Sequence, residues 1–394
     1  MSTTTPPFRI VASDMDGTLL DKAHSITPYT METLFQLSVR YGVKFIFATG
    51  RHHLSVHAAR ETLATYFHQR YQEYHAKALV EVAAHPSAQA AVDAAVPGFY
   101  LVTSNGARIH DPDGRLIVQH NLDPEVVRAL YTQYGLPYIS RHGPAVVKGP
   151  ALGFSSSTPQ IVSQLAHNGE AGAAGVDGSH AEDHVIVSAY TTDQWYTTAP
   201  FMSLEEVEKK FGVRPYVVPF DAADPANAAR SVFDEFPVED VGKLYFRSSD
   251  KHILDWIEQS IKRQFGDRVA VALSSPCCLD VMTSGVSKAS ALKEIVDSVD
   301  VQAAQRHAMP LYTMHDVISF GDSMNDEEML AAAGKGCVMR NAQDRLKKAL
   351  PQCEVILSNE ENGVAAKLRE VFHMPVEVSM GGAETVYSAV MLPR

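Results

Sequence analysis

Phe8-Arg9-Ile10-Val11-Ala12-Ser13 runs straight into Asp14-Met15-Asp16-Gly17-Thr18, and the fold follows from how this stretch reads. The first six residues are short and mostly apolar, the pattern of a strand covered on both faces in a parallel sheet. Glycine and two acids then end the strand. Downstream, Thr27 is placed to cap a helix that Pro28 opens, with Met31, Leu34, Phe35 and Leu37 on its buried side. Gly42 stops that helix, residues 43–48 form a second apolar strand, and Thr49-Gly50-Arg51 follows it. Strand, helix and strand in this order make a β-α-β unit with a right-handed crossover, hence a parallel sheet.

The alternation continues outward from that unit. Residues 54–95 read as helical with a break near His85-Pro86-Ser87, and residues 99–103 as a third strand ending at Ser104-Asn105-Gly106. The turn Asp111-Pro112-Asp113-Gly114 then joins residues 107–110 to 116–120, a hairpin signal. Because the parallel pattern gives way to an antiparallel one there, a domain boundary is expected near residue 107. Residues 107–284 alternate strands and helices, with an Ala/Gly/Ser-rich stretch at 151–178 read as a flexible loop, and Thr283-Ser284-Gly285 reads as a hinge. A helix near Ser287-Lys288 resumes the first pattern, followed by strands at 317–320, 336–339 and 354–357. The expected fold is α/β: a doubly wound, Rossmann-like parallel-sheet core from 1–106 and 285–394, with a second α/β domain, 107–284, inserted in it.

Composition narrows the function classes. A chain of 394 residues suits two or three domains at about 150 residues each. Its 45% hydrophobic and 20% charged residues exclude a disordered or low-complexity protein. The net charge of −12 has the wrong sign for a broad nucleic-acid-binding face. No apolar run is long enough to span a membrane and the first ten residues carry no signal-peptide core, so a cytoplasmic protein is expected. Four cysteines (Cys277, Cys278, Cys337, Cys353) are too few and too irregular for a disulfide framework or a zinc knuckle, and the 17 histidines show no H-E-x-x-H spacing.

Three parallel strands end in polar clusters: Asp14/Asp16, Thr49, and Asp322/Asn325/Asp326. Sites in open α/β sheets form beyond the carboxyl ends of the strands, so these clusters should converge. Four aspartates together repel unless a cation neutralises them, and hard oxygen ligands without Cys or His point to Mg²⁺.

With these motifs in order, the chain resembles the haloacid dehalogenase superfamily of aspartate-nucleophile phosphatases. Residues 14–20 (Asp-Met-Asp-Gly-Thr-Leu-Leu) resemble its first motif, Thr49-Gly50 its second, Lys288 its third and residues 321–326 (Gly-Asp-Ser-Met-Asn-Asp) its fourth. Ser104-Asn105-Gly106-Ala107, Gly285-Val286-Ser287-Lys288 and Asn362-Gly363-Val364-Ala365 are similar to the Cof-type subgroup, which carries a large α/β cap (type IIB) between motifs two and three. The resemblance implies a Mg²⁺-dependent phosphatase of small phosphorylated metabolites, sugar phosphates foremost. It implies that Asp14 attacks phosphorus and that Asp16 protonates the leaving oxygen and later activates water. It also implies Mg²⁺ held by Asp14, the Asp16 carbonyl and Asp322, with Thr49, Gly50, Lys288 and Asn325 on the phosphoryl group and Asp326 in support. A phosphomutase or phosphotransferase of the same superfamily, and a catalytically silent phosphometabolite sensor, are the alternatives.

Other residues carry two readings. Asn105 either supports the substrate or simply ends a strand; Arg51 touches phosphate or pairs with a core acid. Trp195, Tyr196 and Trp256 line a pocket or fill a cap core. Cys277-Cys278 and Met324 read as packing, and Lys293 is the fallback for Lys288.

Overall fold

The computed structural model describes residues 6–84, 98–134, 185–219, 231–304 and 312–374. Its strands are β1 (Ile10–Asp14), β2 (Lys44–Ala48), β3 (Phe99–Thr103), β4 (Arg108–His110), β5 (Leu116–Gln119), β6 (Ile186–Tyr190), β7 (Trp195–Thr197), β8 (Tyr216–Val217), β9 (Lys243–Arg247), β10 (Val269–Ser275), β11 (Cys278–Thr283), β12 (Val317–Gly321), β13 (Lys335–Met339) and β14 (Glu354–Ile356). The helices are α1 (Pro28–Tyr41), α2 (His57–Ala84), α3 (Pro124–Tyr134), α4 (Leu204–Phe211), α5 (Lys251–Phe265), α6 (Lys288–Ala304), α7 (Glu327–Ala332), α8 (Asp344–Ala349) and α9 (Gly363–Val371).

Among the described residues the strands form two sheets, in the orders β14-β13-β12-β1-β2-β3-β4-β5 and β10-β11-β9-β6-β7-β8. The first is parallel from β14 to β3, with β1 between β12 and β2. Alternation along its strands serves both faces. Val11, Phe45, Phe47 and Phe320 pack with Leu34 and Phe35 of α1, whereas Ile10, Ala12, Ile46 and Val317 pack with Leu292 and Ile295 of α6. Burying Leu34 and Phe35 contributes about 1.5–3 kcal/mol each. The ends of α1 are as expected: Thr27 Oγ1 accepts the Thr30 amide, and Gly42 takes the left-handed conformation that closes the helix.

The 111–114 hairpin forms, but it belongs to the first sheet. β4 pairs antiparallel with β3 (Val102↔Ile109) and β5 with β4, so the passage to the second sheet falls after Gln119, later than residue 107. The chain reverses through Ser104, Asn105 and Gly106, all at positive φ. Gly106 is required there: at φ +108°, a Cβ would lie 2.3 Å from the Ser287 carbonyl oxygen at the start of α6. An antiparallel edge on a parallel sheet is therefore what the change of pattern signified.

The second sheet, mostly antiparallel, has two unlike faces. Val187, Ala189, Leu244, Phe246, Leu279 and Val281 are fully buried against α3 and α5. The alternate residues Tyr190, Lys243, Tyr245, Arg247, Cys278 and Asp280 face a cleft toward the first sheet. The return from β11 to α6 passes through Ser284-Gly285. Helix α2 begins after a short 3-10 turn at His53–Val56. The expected break at 85–87, the loop at 151–178 and the chain beyond 374 lie outside the described residues. Among the described residues no helix is long and apolar enough to cross a membrane.

Candidate active site

β1 and β12 end side by side and deliver three carboxylates to one point. One oxygen each of Asp14, Asp322 and Asp326 lies within 4.8 Å of the others. Asp14 is 4% exposed and its Oδ1 accepts the Met15 amide (2.7 Å). Asp326 is wholly buried; its Oδ2 accepts the amides of Asp322 and Ser323 (3.0 Å each), which fixes the turn after β12. Asp322 accepts Thr18 Oγ1 (3.1 Å) and Ser323 Oγ (3.2 Å). Its carboxylate presses on the turn after β1: at Gly17, φ +69°, a Cβ would stand 2.6 Å from Asp322 Oδ2. A side chain there would have to adopt a strained backbone and push that carboxylate aside, which is the physical reason for Asp-x-Asp-Gly.

Lys288, the first residue of α6 and without exposure to solvent, donates to Asp14 Oδ1 (2.7 Å) and Asp326 Oδ1 (2.8 Å). Burial alone would lower its pKa, but the two carboxylates outweigh burial and raise it. Lys293 is instead on the exposed side of α6, paired with Asp297 (2.5 Å), so it is no substitute. One ammonium among three carboxylates is not enough. Burial and then Asp326, opposed by Lys288, push the Asp14 carboxyl well above its usual value, and burial and Asp326 push Asp322 up to about 7. Three negative charges less one positive leave two, the charge of a divalent cation. With oxygen donors alone, this cluster fits Mg²⁺.

Asp16 has turned the other way. Its carboxylate is gripped by Arg51, through Nε (2.6 Å) and Nη2, and lies 3.5 Å from His24 Nδ1. Burial pulls its pKa up, but His24 and Arg51 together bring it down to about 2. The second reading of Arg51, as partner of a core acid, is the one observed. The side chain that was expected to act as an acid is here an ionised carboxylate.

The remaining expected residues divide by position. Asp14, Asp16, Gly50, Asp322 and Asn325 line a cleft of about 550 Å³ between the two sheets, within the usual range for a small-molecule site. Thr49, Asn105, Lys288 and Asp326, each at most 1% exposed, stand behind that wall. Thr49 Oγ1 accepts the Arg51 amide (3.1 Å) and the Thr49 carbonyl accepts the Asn105 amide (3.0 Å). Asn105 ties the two sheets together: its Oδ1 accepts Asn325 Nδ2 (2.9 Å) and its Nδ2 donates to Asp280 Oδ2 (2.6 Å). Lys243 closes the ring, donating to Asp280 Oδ2 (3.0 Å) and to the Gly50 carbonyl (2.5 Å).

Sequence reasoning missed Lys243, Arg247 and Asp280. The signal was present in Lys-Leu-Tyr-Phe-Arg (243–247) and Cys-Leu-Asp-Val (278–281), where polar and apolar residues alternate as in a strand with one buried face. Trp195 lines the cleft and is also buried (3%), so both its readings hold. Tyr196 packs on Tyr216 and Phe236, and Trp256 on Tyr134, in the core under the second sheet. Met324 packs against the apolar clusters of both sheets. Cys278 opens β11 and lines the cleft, a more exposed place than the packed strand expected.

Comparison with known proteins agrees with this geometry. A family model described as haloacid dehalogenase-like hydrolase matches residues 11–69 and 179–368. A Haemophilus influenzae protein, provisionally named a phosphatase, is 29% identical over 366 residues, 93% of this chain and 97% of the relative. A Yersinia pestis protein named HMP-PP phosphatase is 25% identical over 368 residues, 93% and 97% of the two chains. Two solved structures share the fold. A haloacid dehalogenase-like hydrolase from B. subtilis has a TM-score of 0.57 at 19% identity, over 92% of this chain and 99% of its own. A sugar phosphatase of HAD subclass IIB has 0.53 at 16%, over 93% and 100%. Motif order, convergent carboxylates and the match over most of the chain lead to one conclusion: it belongs to the haloacid dehalogenase-like hydrolase family and is a phosphatase of the Cof type.

Proposed function

We propose that this phosphatase hydrolyses small phosphorylated metabolites, sugar phosphates foremost, with Mg²⁺ and through an aspartyl-phosphate on Asp14. The observation that carries the reading is the state of Asp14. Lys288 and the Met15 amide both engage Oδ1, and among the described residues no hydrogen bond engages Oδ2. One oxygen is therefore held while the other is left to attack at the cleft wall.

A lone pair of Asp14 Oδ2 would form the new O–P bond as the ester P–O bond breaks, and the departing oxygen would take a proton. Lys288 holds the attacking carboxylate in place and offsets its charge. Asp326 fixes both Lys288 and the turn that carries Asp322 and Asn325. Mg²⁺ held by Asp14 and Asp322, with Asp326 adjoining, would neutralise the anions that must meet there. For Asp16 to give that proton, its carboxylate must leave Arg51 and first take up a proton from solvent; at 39% side-chain exposure it has room to turn and contact with water. Arg51 and His24 thus keep it charged until a substrate enters.

The cleft supports a small substrate, because its second wall comes from the second sheet and the two walls are joined by the buried Asn105-Asp280-Lys243 ring. The names of the relatives agree: one acts on HMP-PP and one on sugar phosphates. The test is turnover of p-nitrophenyl phosphate and a panel of phosphorylated metabolites with Mg²⁺ and with EDTA, alongside Asp14→Asn. Orthophosphate in large excess over enzyme, lost with EDTA and in the variant, supports the reading. Isomerised sugar phosphate without free orthophosphate would favour the mutase, and undiminished activity in Asp14→Asn would remove the covalent scheme.

A further inference from the structure

We infer that the cleft selects phosphomonoesters whose leaving group carries a second anionic group, such as a carboxylate or another phosphate, and that Arg247 reads it. The inference rests on the phosphatase reading and adds the substrate class.

The cleft face of the second sheet is a ladder set by register. Lys243 stands opposite Tyr190, Tyr245 opposite Ser188 and Asp280, and Arg247 opposite Cys278 and Ile186. Its two ends differ in charge. At one end Lys243 is neutralised by Asp280 and anchored to the Gly50 carbonyl, beside the proposed phosphoryl site. At the other end Arg247 is half-buried in the cleft wall, stacked over Phe201 (4.3 Å) and donating from Nη1 to Cys278 Sγ (3.2 Å). Among the described residues no carboxylate lies within ion-pair distance of Arg247 or of Lys210, which also lines the cleft.

The negative partners of the half-buried guanidinium are the Cys278 and Cys277 sulfurs, the Cys277 thiol being brought down by its hydrogen bond to Cys278 and, less, by Ser275 and Arg247. A ligand oxyanion would pair more strongly than sulfur does with the guanidinium. Its planar fork suits a carboxylate or phosphate held by two bonds. The spacing sets the ligand's length. Arg247 lies four positions along β9 from Lys243, about 13 Å between Cα atoms, so the second charge belongs at the far end of the leaving group rather than beside the transferring phosphorus. Tyr190, Trp195, Phe201 and Phe211 line the space between and offer flat apolar surfaces to a ring.

The test uses 4-carboxyphenyl phosphate and its neutral isostere 4-carbamoylphenyl phosphate, with the full-length enzyme and Mg²⁺. The expected kcat/KM ratio is at least tenfold in favour of the acid, about 1.4 kcal/mol. Arg247→Gln should bring the ratio near one, and Arg247→Lys should keep part of it. Dissociation constants for both compounds on Asp14→Asn, measured by calorimetry, should show the same ratio. Equal kcat/KM values in the native enzyme, or equal losses on both substrates in Arg247→Gln, would overturn the inference. If neither ester is turned over, the proposed hydrolysis of small phosphomonoesters fails, and the calorimetric ratio still decides the role of Arg247.

Discussion

His52 links the two sheets and should make the protein acid-sensitive. It follows Thr49-Gly50-Arg51, is 1% exposed, and stands between two groups that determine its protonation. Its Nδ1 accepts the Leu54 amide (3.3 Å), so that nitrogen has no proton; its Nε2, 2.9 Å from the Thr191 carbonyl, must then carry one. A second proton would oppose the Leu54 N–H. Burial first, then His53, and to a smaller degree Arg108 and His110, bring the pKa of His52 down to about 3, against the hydrogen bond to Thr191, which raises it. The unfolded chain has an ordinary histidine near 6.5. Below about 6.5 the unfolded state gains a proton that the folded state refuses, so stability is present at higher pH and lost as pH falls toward 3. Between pH of about 7.5 and about 5 the cost is about 2 kcal/mol. The comparison is urea unfolding of the native protein and of His52→Asn, whose amide oxygen can still accept the Leu54 N–H. Carboxylates common to both cancel in the difference, so the variant should lose about 2 kcal/mol less across that interval. Parallel pH profiles would refute the reasoning.

Two further perturbations address the carboxylate site and the packing beneath it. Gly17→Ala places a Cβ 2.6 Å from Asp322 Oδ2 at φ +69°; displacing that carboxylate by about 1 Å should lower kcat/KM by roughly 10²-fold, measured across a Mg²⁺ titration, and unchanged kinetics would count against a role for Asp322. Glu32→Gln removes the negative charge and one of the two oxygens that accept Tyr66 Oη (2.6 Å) and Arg70 Nε (2.9 Å) and fasten α1 to α2. Burial favours the neutral acid, but Arg70, Tyr66 and Gln36 lower the pKa, so the stabilisation is complete above the unfolded value of about 4.3 and fades as pH falls through the folded one. The variant should be about 1–3 kcal/mol less stable at neutral pH, with the gap closing in acid; a constant gap in thermal unfolding would contradict this.

The parts of the fold legible in the sequence are those set by local chemistry. Thr27-Pro28 and Gly42 delimit α1 because capping and left-handed closure depend on neighbouring residues alone. The clusters at Asp14, Thr49 and Asp322 were legible because parallel strands must end on one edge. Sheet membership of the 111–114 hairpin was not: Ser104-Asn105-Gly106 turns the chain back on β3, and only the partner strand distinguishes an antiparallel edge from a new domain. The rotamer of Asp16 was equally hidden, since it depends on His24 and Arg51, which reach it from two separate loops further along the chain. Lys243, Arg247 and Asp280 carried the alternation of a half-buried strand, but their common face became a cleft wall only through pairing between strands distant in sequence.

The most direct measurement is a crystal structure with Mg²⁺ and beryllium trifluoride, which mimics a phosphorylated carboxylate. The account predicts beryllium bonded to Asp14 Oδ2, Lys288 still on Oδ1, and Mg²⁺ touching Asp14 and Asp322. Beryllium bonded to another residue, or an Asp14 oxygen turned from the cleft with the fluoride complex elsewhere, would contradict it.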